Sequence, residues 1–141
     1  MRLGSRARAV LNTLNLSTPL GLALAAATRT PLRRGPDGLF IAEGYRPRLP
    51  LAAAFVVGNV VFTRGSARAL VARPALLAHE SRHATQYAFC LGLPFLPLYF
   101  ASALWSWSRS GDPAAQNPFE RLAGLADGGY VAERRQERGR P

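Results

Sequence analysis

Lysine is absent from this chain of 141 residues: the 18 basic positions are all arginine, set against eight carboxylates for a net charge of +10. An all-arginine bias fits GC-rich coding better than a selected phosphate-binding surface. The arginines are scattered except for Arg134, Arg135, Arg138 and Arg140, which make residues 133–141 a solvated basic tail. Nucleic acid is therefore not an expected partner, and attraction to an anionic membrane surface is as well supported as any more specific use of the charge. Cysteine is almost absent too. The single Cys90 excludes an intramolecular disulfide and removes any argument for an oxidising compartment. It follows an aromatic inside an apolar run, where a small buried hydrophobe is expected rather than a metal thiolate. Internal repeats and long low-complexity linkers are missing. With 48% hydrophobic residues, composition excludes disorder. One domain is expected over residues 1–132, large enough for a core but small for a protease with its own substrate-binding lobe.

A clean targeting or spanning segment is also lacking. Arg2, Arg6 and Arg8 precede an apolar stretch ending at Ala27, but Asn12, Asn15, Ser17, Thr18 and Pro19 interrupt it. A structural N-terminal helix within residues 1–30 is expected, not a signal peptide. The second apolar run, Leu91 to Trp107, is at the lower length limit for a membrane span and contains Pro94 and Pro97. Tyr99, Trp105 and Trp107 suit a bilayer interface. Peripheral membrane contact through residues 91–107 is the expectation, with a cytoplasmic or membrane-associated location.

Only two histidines occur, and they stand four apart in His79-Glu80-Ser81-Arg82-His83. On a helix, residues i and i+4 share a face, so both imidazoles can reach one divalent ion with Glu80 beside them as general base. Pro74 suits the first turn of the helix that carries the motif, over residues 74–91. Ala75 to Ala78 and Tyr87 to Phe89 make that helix apolar nearly all round, hence central and buried. Two histidines and a glutamate buried together are costly without a metal or other partners.

Around this helix the expected architecture is α+β. Residues 37–63 form the β segment, with a short strand at Leu39–Ala42 and the strongest strand signal in Ala54–Thr63. There Gly58-Asn59 makes either a tight hairpin turn or a bulge. Arg64-Gly65-Ser66 ends that segment and leads into helix. Ser17-Thr18-Pro19 marks a restart within the N-terminal helix. Pro97 starts an apolar helix over residues 97–108, and Asn117-Pro118 caps and opens a last helix over residues 117–132.

A catalytic zinc site takes three protein ligands and keeps a position open. With no third histidine, the third ligand is a carboxylate, the one cysteine, or nothing. Glu120 is the favoured carboxylate: it stands in the first turn of the last helix, where Ala123 and Gly124 permit close approach to the motif helix. Asp127 lies on roughly the same face, either as an acceptor for an imidazole N–H or as a rival ligand. Gln86, three residues after His83, faces the same side. Tyr87, Tyr99 and Tyr130 are the available donors to a developing oxyanion, though each also reads as a packing residue. Zn2+ is the expected cofactor and a peptide or protein the expected substrate.

His79-Glu80-x-x-His83 with a distal Glu120 resembles the gluzincin type of zinc metallopeptidase. Leu77-Ala-His-Glu-x-x-His83-x-x-Gln86, Gly92-x-Pro-Phe95-x-Pro97-x-Tyr99 and Asn117-x-Phe-Glu120-x-x-Ala123 are similar to short bacterial proteins with zincin-like HExxH domains. The likeness covers residues from about 54 to 130 and is specific at the motif. It implies a zincin-like minimal core, with a small sheet or hairpin packed on the buried HExxH helix and further helices. It also implies a zinc-dependent hydrolase of the peptidase kind. The second lobe of a typical gluzincin cleft is missing, and only Ala54–Thr63 is available as a sheet edge for a substrate strand. The alternative is a non-catalytic, metal-stabilised interaction or assembly module that retains the core.

Overall fold

A computed structural model describes residues 3–50 and 52–128. Tyr130 and the tail at 133–141 lie outside the described residues. The chain opens with two helices, α1 (Ser5–Leu14) and α2 (Ser17–Ala27), bent by 75° at the break between them. The helix restarts at Ser17, where Ser17-Thr18-Pro19 marks the restart in the sequence, and Leu16 makes the bend in a left-handed conformation with φ 70°. No single helix among the described residues is long and apolar enough to cross a membrane.

Four strands follow: β1 (Leu32–Arg34), β2 (Phe40–Glu43), β3 (Ala54–Val57) and β4 (Val60–Thr63). They form one mixed sheet in the order β1-β2-β4-β3, with β2 and β4 parallel and the other pairs antiparallel. The segment around Gly58-Asn59 is a hairpin turn, since Val57 pairs with Val60 across it. Gly58 has φ +62°, and a Cβ there would stand 2.3 Å from the Thr18 backbone nitrogen. Glycine is required at that position on both counts, which lets α2 sit directly on the hairpin.

Period-two alternation divides the sheet residues between two cores. Ile41, Ala54, Val56 and Val61 pack with Leu76, Leu77, Ala84 and Tyr87 of the motif helix. Ala42, Val57, Val60 and Phe62 pack on the other face with Ala25 of α2 and with Tyr45. The remaining helices are α3 (Ala67–Val71), α4 (Pro74–Phe89), α5 (Phe95–Ser110) and α6 (Pro118–Ala123). The described chain is therefore α+β, with a four-stranded sheet and six helices.

Two helix ends fall short of their expected positions. The motif helix stops at Phe89, before Leu91 turns left-handed at φ 58°. The last helix, expected over residues 117–132, ends at Ala123 because Gly124 adopts φ +94° and breaks the helical path. The apolar helix expected over 97–108 is longer, spanning Phe95–Ser110 with Pro97 inside its first turn.

A polar network fixes α4 from behind. Asn12, fully buried, donates to Asn59 Oδ1 at 2.7 Å and to the Ala84 carbonyl at 2.8 Å. Arg8, one of the leader-like basic residues, is buried: it donates to Ser81 Oγ at 2.6 Å and to the Asp37 carbonyl at 2.7 Å. These side chains tie α1, the hairpin and the central turn of α4 into one unit. The motif helix is thereby held on a rigid base, as a site of fixed geometry needs.

Candidate metal centre

His79 and His83 project from the same face of α4, one turn apart, with their rings nearly perpendicular at 85°. Glu120 reaches them from α6. That short helix is positioned by Asn117, whose side chain accepts from the Phe119 N–H, and by Pro118 at the first helical position. Ala123 is fully buried where α6 meets α4.

The three side chains converge on one point. His79 Nε2 stands 3.1 Å from Glu120 Oε2. His83 Nε2 stands 3.3 Å from the same oxygen and 3.1 Å from His79 Nε2. Ligand atoms placed tetrahedrally around zinc at protein bond lengths lie roughly 3.4 Å apart. The observed triangle matches that spacing to within a few tenths of an ångström. His79, His83 and Glu120 are the group among the described residues whose ligand atoms lie close enough to hold an ion, and all three are buried.

The outer hydrogen bonds fix the protonation pattern. His79 Nδ1 faces the Gly124 carbonyl at 2.8 Å, and His83 Nδ1 faces Gln86 Oε1 at 2.8 Å. The Gln86 amide has a settled orientation, because its Nε2 donates to the Phe119 carbonyl at 2.8 Å. Both Nδ1 atoms therefore face outer acceptors, and both Nε2 atoms turn toward each other and toward Glu120 Oε2. Three donor atoms this close together and all buried could hold a metal ion. A proton serves one pair at a time; a divalent ion serves all three. This donor set, two imidazoles with oriented outer N–H groups and one carboxylate, suits zinc.

Charges respond accordingly. Burial pushes the Glu120 carboxyl up, but hydrogen bonds from His79 and His83 outweigh it and hold the group well below the ordinary carboxylate range. For His79, burial opposes the charged ring, while the Glu120 hydrogen bond and the nearby Glu80 charge raise its pKa overall. Tyr99, on α5, donates to Glu120 Oε1. That bond occupies one carboxylate oxygen and leaves Oε2 facing the histidines.

Glu80 is buried as well, at 4% exposure, and no described residue hydrogen-bonds its carboxylate. Burial raises its pKa, the two histidines lower it, and the net direction is upward. A buried carboxylate with raised basicity, next in sequence to a candidate metal ligand and without a hydrogen-bond partner among the described residues, can take a proton from water.

The other expected site residues are placed elsewhere. Asp127 pairs with Arg82 at 2.7 Å near the surface, so the acceptor behind His79 is the Gly124 carbonyl, not this carboxylate. Arg82 reaches Asp127 because its guanidinium also donates to the Ala123 carbonyl at 2.6 Å. Tyr87 donates to the Val56 carbonyl at 3.1 Å and packs in the core; burial raises its pKa strongly. Cys90 caps α4, half-buried against the core, with its thiol pushed up by burial. The Tyr99 bond and the Gly124 carbonyl carry no local sequence signal. Each joins residues at least 21 positions apart.

Gln86 gives a direct test of the outer layer. Replacing it with leucine removes the acceptor behind His83, and metal affinity should drop by about 10–100-fold. Competition against a chromophoric chelator measures this. An unchanged affinity would mean that the Gln86 contact does not orient the ring.

No protein-family model, no curated protein and no solved structure matches this chain.

Proposed function

We propose that the protein is a zinc-dependent hydrolase with a zincin-like core, acting on peptide bonds. The observation that carries this reading is the triangle of His79, His83 and Glu120 with Glu80, which no described residue hydrogen-bonds, buried beside it. His79 Nε2, His83 Nε2 and Glu120 Oε2 would hold the ion. When bound, zinc supplies Lewis acidity, which lowers the pKa of water and polarises a carbonyl. Glu80 takes the proton of the attacking water on its carboxylate and later passes it to the leaving amine. Gly124 and Gln86 keep the imidazoles in the tautomer that presents Nε2 inward. Tyr99 holds Glu120 in place through Oε1, the carboxylate oxygen that the histidines leave free.

A second reading is favoured by one feature of the sheet. The pairing of β3 with β4 directs the Val56 carbonyl toward the open edge, where Tyr87 already bonds it. A substrate strand cannot add there with full pairing. A metal-stabilised module without catalysis accounts for that closure, and so does a hydrolase that takes its substrate by another face. Incubating the zinc-loaded protein with a peptide library separates the two. The hydrolase cleaves, and Glu80→Gln does not. The module shows no cleavage in either form, yet unfolds when stripped of metal.

A further inference from the structure

We propose that the corner between α1 and α2, the Leu91 turn and the outer face of α5 form one surface that docks on an anionic lipid bilayer. This inference is independent of the catalytic reading.

Two leucines carry it. Leu16 and Leu91 both adopt left-handed backbone conformations, at φ 70° and 58°, which cost a bulky residue stability. Neither recovers that cost by burial, since Leu16 is 59% and Leu91 77% exposed. Strain held at an exposed apolar tip points to function rather than folding. The two tips are neighbours. Gly92 lies so close to Asn15 that a Cβ on it would stand 2.6 Å from that residue, and Asn15 donates to the Tyr87 carbonyl at 3.4 Å. Leu14, 74% exposed, belongs to the same corner.

α5 begins immediately beyond. It is an apolar helix of 16 residues of which only Phe95 and Ser106 are buried. Phe100, Leu104, Trp105 and Trp107 are all exposed, and a water-soluble chain rarely leaves so much contiguous apolar surface uncovered. Arg109 lies over the Trp105 ring at 5.9 Å, the pairing of aromatic body and cationic head that suits an interface.

Charge selects the occupant. Neither residues 3–36 nor 81–111, which include α1, α2 and α5, contain a carboxylate. Elsewhere Glu80 and Glu120 are buried, while Glu43 and Asp127 pair with Arg33 and Arg82. Arg6, Arg29 and Arg109 are exposed. An apolar face on helices that carry arginine and no carboxylate, with Asp37 and Asp112 lying outside them, fits anionic headgroups over inserted leucine and tryptophan side chains.

The test uses the whole chain with vesicles of phosphatidylcholine, with and without phosphatidylglycerol, and the double variant Leu16→Gly, Leu91→Gly. Glycine suits both conformations, so the variant should melt at the wild-type temperature or higher. The wild type should float with the anionic vesicles, with a blue shift of Trp105 and Trp107, the two tryptophans of the chain. The double variant should bind roughly tenfold more weakly or worse. The proposal is overturned if the wild type ignores anionic vesicles or if the double variant binds as well. It also fails if the variant melts lower, because the leucines would then serve the fold. Self-association in solution through these leucines, without vesicle binding, would assign the face to a second copy and overturn it too.

Discussion

Stripping the metal from the protein should lower its thermal midpoint by roughly 10–20 °C. The magnitude follows from linkage: an ion present at about a thousand times its dissociation constant stabilises the native state by about 4 kcal/mol. For a chain of this size each kcal/mol is worth a few degrees. The structural reason is the inward-facing triangle, in which two Nε2 atoms and Glu120 Oε2 lie within 3.3 Å of one another. Without the ion only hydrogen bonds through a shared proton hold these atoms together, and one of the polar attachments of α6 to α4 is weakened. Differential scanning fluorimetry with and without chelator measures the shift, and restoring zinc should reverse it. A midpoint indifferent to chelation would mean that a shared proton suffices to hold the cluster.

Glu80→Gln should abolish hydrolysis while leaving the metal and the fold in place. Loss of a general acid–base group typically costs about 10²–10⁴-fold in rate. The substitution keeps the size of the side chain and removes a buried charge, so the melting temperature should stay level or rise. Glu80 has no hydrogen-bonded partner among the described residues, so the substitution breaks no hydrogen bond to them. Activity against a cleavable peptide, followed alongside metal content, gives the result. If the variant keeps its activity, Glu80 is not the base; if it loses the ion, Glu80 belongs to the ligand set.

The site was legible in the sequence wherever its logic is local. The i, i+4 spacing of His79 and His83 needs only a helix, and Pro74 announced where that helix begins. Asn117-Pro118 marked the start of α6 and so placed Glu120 in a first turn. Gln86 followed from the same helical face as His83. What escaped depends on tertiary approach. The Gly124 carbonyl becomes the partner of His79 only because α6 ends there. Asp127, expected beside that ring, is drawn instead to Arg82. Arg8 looks like part of a basic leader in the sequence, yet its partner Ser81 is 73 residues away.

Parts of the fold were hidden for similar reasons. β1 has three exposed residues, Leu32-Arg33-Arg34, with no alternation to mark a strand. It exists because β2 offers a pairing edge. Ser17-Thr18-Pro19 marked the helix restart after Leu16, but nothing local showed that a leucine would take the left-handed conformation there. Such positions break local rules, and they occur where the surrounding structure or a partner imposes another requirement.

The central claim is that His79, His83 and Glu120 hold a divalent ion. Elemental analysis of the purified chain, equilibrated with zinc and then freed of excess, tests it most directly. The wild type should retain one zinc per chain, and Glu120→Ala and His83→Ala should each retain far less. A wild type without stoichiometric metal, or variants that keep it in full, would contradict the account.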